Sequence, residues 1–138
     1  MNKSVFSFLD ENKVQNIREQ FGTPVFVYDQ RSLQNQAQAA LNFPSAFGLT
    51  VRYAMKSCPN AGVVRIINRM GVHIDASSGW EVHRALKAGV KPDEIMITAQ
   101  QLPDDFGQLV SLGVRFNACS LHQLASFGHR FPGSEVGV

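Results

Sequence analysis

The stretch Val72 to Thr98, VHIDASSGWEVHRALKAGVKPDEIMIT, contains one strand, one helix and the start of a second strand, and it decides the fold. Val72 to Asp75 is a short apolar run with β-branched residues, the pattern of a buried strand. Ser78 followed three residues later by Glu81 reads as a capping box, whose hydroxyl and carboxylate take up amides that a first helical turn leaves unpaired. Gly89 follows the periodic segment where a residue with positive φ is wanted. Ile95 to Thr98 is then the next strand.

The same alternation runs outward in both directions. Val25 to Tyr28, Leu49 to Met55, Val114 to Ala118 and Glu135 to Val138 are further candidate strands. Between them the apolar spacing turns helical, as in Val63, Val64, Ile67 and Met70, or Phe106, Leu109 and Val110. Gly71, Gly113 and Gly128 are expected helix ends. Asn60 and Ser120 are expected N-caps, and Pro103 with Asp104 and Asp105 suits a first turn. An N-terminal helix is expected from Asp10 to Phe21, with Val14, Ile17 and Phe21 on one face. Strand starts recur every ~20–25 residues, a βα repeat that builds a parallel sheet.

Composition narrows the function classes. The 138 residues carry 13 Lys+Arg against 11 Asp+Glu, a net charge of +2 spread along the chain, so no basic stripe points to nucleic acid. Two cysteines, Cys58 and Cys119, make neither a disulfide framework nor, without a CxxC or His/Cys cluster, a zinc or other metal site. No stretch approaches the ~18 apolar residues of a membrane span, and MNKSVFSFLDENK lacks a signal-peptide core. The expectation is a cytoplasmic protein that engages neither membrane nor nucleic acid.

Two α/β architectures compete. A flavodoxin-like doubly wound sheet needs about this much chain, whereas a (β/α)8 TIM-type barrel needs about 250 residues. Length favours the first. Against it, the chain stops at Glu135-Val-Gly-Val138, a strand pattern with no helix after it. That is an odd place for a complete domain to end, so the chain reads as cut, and both architectures stay open on these residues alone.

In either architecture reactive groups gather where strands end at the carboxyl side. Residues at or just after the strands are Asp29, Lys56, Asp75 with Ser77, Thr98 with Gln100, and Asn117 with Cys119. Lys56 ends the apolar run Val-Arg-Tyr-Ala-Met-Lys, where little water would lower its pKa and free the amine to attack an aldehyde. A solvated strand-end lysine is the alternative. Asp75 is either a site acid or a turn former that caps the next helix. Glu81 has a sufficient structural task in the capping box. His73, His83, His122 and His129 read as core or solvated histidines, Cys58 as a small hydrophobe, and Trp80 as a residue at the rim that packs on a neighbouring loop.

Tyr53-Ala-Met-Lys-Ser-Cys-Pro-Asn60, then His73-Ile-Asp-Ala-Ser-Ser-Gly-Trp-Glu81 and Ala85-Leu-Lys-Ala-Gly89, resemble the fold-type-III pyridoxal-phosphate decarboxylases. Within that group the chain is most similar to the enzymes that act on diaminopimelate. Phe21-Gly-Thr-Pro-Val-Phe-Val-Tyr-Asp29 matches the segment that opens their barrel, and Ile95 to Ala99 and Phe116 to Leu121 match later strands.

The resemblance implies pyridoxal 5'-phosphate held as a Schiff base on Lys56, and decarboxylation of an amino acid, meso-diaminopimelate to lysine. Ala54 would leave room for the cofactor ring, Asp75 would lie near the lysine, and Tyr53 and Glu81 would have secondary parts. It implies a homodimer, an N-terminal helical segment over residues 1–23, and a partial alanine-racemase-like (β/α)8 barrel over 24–138, cut to about six strands. The alternatives are a decarboxylase of the same fold acting on ornithine or arginine, and a non-catalytic flavodoxin-like module with Asp29 and Asp75 in an acidic cluster. The family's ring-stacking histidine, glycine-rich phosphate loop and C-terminal β-domain have no counterpart in these residues. The 138 residues are therefore expected to be the N-terminal part of a longer enzyme and inactive alone.

Overall fold

Four short strands pair in parallel in chain order: β1 (Arg52–Ala54), β2 (His73–Ala76), β3 (Ile95–Ile97) and β4 (Arg115–Phe116). The computed structural model describes residues 8–138, so part of the N-terminal stretch read above for a leader lies outside the described residues. Among the described residues six α-helices accompany the strands: α1 (Glu11–Phe21), α2 (Gln30–Leu41), α3 (Ala61–Arg69), α4 (Gly79–Lys87), α5 (Phe106–Ser111) and α6 (Leu121–Arg130). None is long and apolar enough to cross a membrane.

The pleat separates two chemically different faces. Register sets Tyr53 beside Ile74 and Ile95, and Ala76 beside Ile97 and Phe116. Ile74, Ala76, Ile95, Ile97 and Phe116 are buried with Val64 of α3, Val82 and Ala85 of α4, Phe106 and Leu109 of α5, and Phe127 of α6. Each such fully buried Ile or Phe contributes roughly 1.5–3 kcal/mol. A second cluster joins Ala37 of α2 to Val63, Ile67 and Val72.

Arg52, Ala54, His73, Asp75 and Met96 occupy the other face by the same register, and none of them belongs to either apolar cluster. Helices thus cover one face and a polar face is left inward, as in the wall of a (β/α) barrel. The doubly wound alternative fails on two counts. Its helices pack on both faces and its strand order reverses, whereas here the order is sequential and the core lies on one side.

The paired strands are fewer and shorter than the sequence suggests. Val25 to Tyr28 has no ladder partner among the described residues and its side chains are exposed. A β-favouring composition makes a strand only where a neighbouring strand takes its amides and carbonyls. Glu135 to Val138 forms a single parallel bridge, Gly137 to Asn117. Leu49 to Met55 contracts to Arg52–Ala54 because Met55–Ser57 winds into a 3₁₀ turn.

Local capping follows the sequence closely. Asn60 accepts the amides of Gly62 and Val63, Ser78 that of Glu81, and Ser120 that of Gln123. Gly71, Gly89 and Gly113 have positive φ of 97°, 92° and 101°. Gly128 does not end a helix; it lies inside α6, which continues to Arg130 as Phe127 and Phe131 both join the aromatic cluster.

Candidate active site

A cleft of about 930 Å³ opens at the C-terminal end of the strands, among the loops that follow β1, β2, β3 and β4. Lys56, Ser77, Thr98, Gln100 and Cys119, all read from the sequence as rim residues, line it together. Asp29 does not. It caps α2, where the Ser32 hydroxyl, followed by the Ser32 and Arg31 amides, holds its carboxyl below the ordinary carboxylate range.

Lys56 sits in the 3₁₀ turn that ends β1, with Met55 turned wholly into the core and Lys56 exposed. The expectation of an ammonium with little water nearby is corrected here: the turn directs consecutive side chains to opposite environments. Among the described residues no side-chain hydrogen bond or ion pair engages Lys56 Nζ. The amine stands free at the mouth of the cleft.

Ala54 and Asp75 are register partners on the inner face, and neither lines the cleft; Ala54 is the last residue of β1 and precedes Lys56 in the turn by two. The Thr98 hydroxyl donates to Asp75 Oδ1 at 2.6 Å, so Asp75 is fastened across to the end of β3 and does not cap a helix. Farther down the same face the buried Arg52 Nη1 and His73 Nδ1 find no partner among the described residues. Burial, and then the nearby Arg115, lower the Arg52 pKa, while Asp75 opposes them.

Tyr53 is not brought to the cleft. It points to the helix side, where its hydroxyl donates to the Cys58 carbonyl at 3.3 Å and burial raises its pKa. Glu81 likewise serves structure. Its Oε2 accepts from the Ser77 amide at 2.8 Å and the Ser77 hydroxyl at 3.0 Å, one residue earlier than the capping box requires. It thereby pins a cleft residue without entering the cleft.

Trp80 stands at the rim as read from the sequence, but it is 85% exposed and lines the cleft instead of packing on a neighbouring loop. Two contributors escape sequence reasoning. His83 Nε2 lies 2.6 Å from Asp105 Oδ2, tying α4 to the loop before α5 at the cleft wall. Gln123 crosses between two loops through contacts 23 and 24 residues apart in sequence, a distance at which no local pattern signals them.

Gly79 opens α4 against Pro103, and a Cβ placed there would stand 2.7 Å from Pro103 Cβ. A proline ring cannot swing aside. Gly79→Ala is therefore expected to destabilise the protein by about 1–3 kcal/mol and to displace the 99–103 loop. Urea denaturation and amide exchange across that loop check both effects.

Residues 30–136 match the family model for the pyridoxal-dependent decarboxylase, pyridoxal binding domain. The chain is 33% identical to diaminopimelate decarboxylase of Escherichia coli, covering 99% of this chain and 33% of the relative. It is 32% identical to that of Streptomyces coelicolor, covering 94% of this chain and 30% of the relative. A crystal structure of diaminopimelate decarboxylase superposes with TM-score 0.76 at 32% identity, over 91% of this chain and 30% of that one. The lysine/ornithine decarboxylase of Vibrio vulnificus, complexed with putrescine, gives TM-score 0.76 at 26% identity, over 93% and 36%. The chain spans about a third of the length of these curated relatives. Sequential parallel strands, a lysine at the cleft mouth and a match over most of the chain place it in the family of pyridoxal-dependent decarboxylases, within their pyridoxal-binding domain.

Proposed function

We propose that this chain anchors pyridoxal phosphate in an enzyme that decarboxylates an amino acid, with meso-diaminopimelate as substrate and lysine as product. The observation that carries the reading is Lys56, an exposed amine with no partner among the described residues, beside a roomy cleft at the carboxyl end of a parallel strand. The residues fit the cofactor. A cleft of about 930 Å³ is within the range of small-molecule sites, and of the hydroxyls on its lining that of Ser78 keeps its proton to donate, while those of Ser77 and Thr98 donate to Glu81 and Asp75.

When bound, pyridoxal phosphate supplies an electron sink for the pair left at Cα as carbon dioxide departs. Lys56 Nζ would hold the cofactor and, as a free amine lining the same cleft, would be placed to move a proton at Cα. Ala54, two residues before it, keeps the inner wall low. Asp75, fixed by Thr98, carries negative charge beside Ala54 and attracts a cationic nitrogen brought to that wall. Glu81 acts only by holding Ser77, and Tyr53 supports β1 from behind. A cytoplasmic homodimer belongs to the same proposal, supported by the family resemblance.

The curated relatives at 32–33% identity named above are diaminopimelate decarboxylases, which favours that substrate. An ornithine- or lysine-type substrate is the second reading, favoured by the equal TM-score of 0.76 to the Vibrio vulnificus enzyme. Competition separates them. With the cofactor adduct formed, meso-diaminopimelate should free Lys56 from borohydride trapping at a concentration about tenfold lower than ornithine or lysine, a difference of about 1.4 kcal/mol. The reverse order would transfer the assignment to the second reading.

A further inference from the structure

Gln123 is the buried polar side chain of the described core, 7% exposed on the first turn of α6. Its Oε1 accepts from the Cys119 amide at 2.7 Å, and its Nε2 donates to the carbonyls of Ala99 at 2.9 Å and Gln100 at 2.8 Å. One acceptor and two donors are thus spent on two successive βα loops, both of which reach the Lys56 cleft.

The direction of those carbonyls fixes the direction of their amides. Among the described residues the cis peptide is Thr23–Pro24, so the units joining Ala99, Gln100 and Gln101 are trans. In a trans unit the N–H points opposite to the C=O. The N–H groups of Gln100 and Gln101 are accordingly aimed away from Gln123, and neither donates a hydrogen bond among the described residues. Ala99, Gln100 and Gln101 line the cleft, whereas Gln123 does not.

We propose that the loop Ala99–Gln101, oriented by Gln123, is an oxyanion-binding edge of the Lys56 cleft. Two consecutive free N–H groups form a concavity for an anionic oxygen, and the Lys56 ammonium adds positive charge on the same lining. Asp104 and Asp105 also line the cleft, but Asp105 is engaged with His83 at 2.6 Å. The ligand is a carboxylate or phosphate oxygen, from the substrate or the cofactor respectively. Gln123 is a positioning residue and touches neither. The proposal rests on reading this cleft as the site, but its chemistry is testable without any adduct on Lys56.

The test is an amide-resolved NMR titration of the chain with inorganic phosphate and, separately, with acetate. The Gln100 and Gln101 amides should shift downfield and saturate, while those of Ile74 and Ile97 stay in place. A stronger response to phosphate assigns the edge to the cofactor; a stronger response to acetate assigns it to the substrate carboxylate. Gln123→Met, similar in length but without the hydrogen bonds, should weaken the response about tenfold. Gln123→Glu keeps the acceptor for Cys119, loses both donors when ionised, and should recover part of the response in acid, where the protonated carboxyl donates again. A wild-type chain whose Gln100 and Gln101 amides ignore both anions would overturn the proposal, as would an undiminished response in Gln123→Met. Lys56→Met retains the shifts with weaker affinity, so failure of the cofactor reading leaves this result standing and recognisable.

Discussion

Lys56→Met is expected to abolish the covalent pyridoxal-phosphate adduct, and with it the absorbance near the visible edge, while leaving the fold intact. The two effects separate because Lys56 is exposed and has no partner among the described residues, so its loss removes a reactive amine and almost no packing. Exposed substitutions of this kind change stability by no more than about 0.5 kcal/mol. Lys56→Arg should fail equally, since a guanidinium stays protonated and does not add to an aldehyde at neutral pH. Lys87→Met and Lys91→Met, on α4 and the connection after it, should behave as wild type. An adduct at wild-type level in Lys56→Met would contradict the site assignment.

Phe116→Ala should cause the largest loss of stability, about 3–5 kcal/mol. Phe116 belongs to a two-residue strand and is 2% exposed, so little besides its ring holds β4 against the helices. That ring meets Phe106 edge-on at 4.8 Å and lies 5.1 Å from Phe127, while Phe127 lies 5.1 Å from Phe131. Removing it empties the junction of β4, α5 and α6 and forfeits the aromatic pairs, each worth about 0.5–1.5 kcal/mol beyond burial. Against a total stability of about 5–15 kcal/mol this is a large share. Urea denaturation should show a lower midpoint with an unchanged slope. Phe47→Ala, at a side chain 101% exposed, should move the midpoint by almost nothing.

What the sequence reveals follows from the range of each interaction. Caps at Asn60, Ser78 and Ser120 are made within three residues, so their side-chain chemistry announces them. The strands around Ile74 in β2 and around Ile95 and Ile97 in β3 are equally visible, because burial on the helix side demands apolar residues there. The 3₁₀ turn at Met55–Ser57 is not legible, because whether a strand continues past Ala54 depends on its neighbours, and Val51-Arg-Tyr-Ala-Met reads as strand throughout. Val25 to Tyr28 misleads for the same reason: its composition favours a strand, and no partner among the described residues makes one.

The candidate site divides similarly. The rim residues Lys56, Ser77, Thr98, Gln100 and Cys119 are legible from strand ends alone, since a parallel sheet brings all such positions to one edge. The His83 to Asp105 contact and the Gln123 crosslink span more than twenty residues of sequence and depend on how α4 and α6 pack, which no local pattern encodes. Adjacency in sequence suggests a place for Tyr53 beside the lysine, but the pleat turns it to the opposite face from Ala54.

The most direct measurement is peptide mapping by mass spectrometry after the chain has been incubated with pyridoxal phosphate and reduced with borohydride. The added mass should fall on the peptide containing Lys56, with Lys3, Lys13, Lys87 and Lys91 essentially unmodified at low cofactor excess. Modification spread evenly over the five lysines, or absent from Lys56, would contradict the assignment of Lys56 as the anchoring amine.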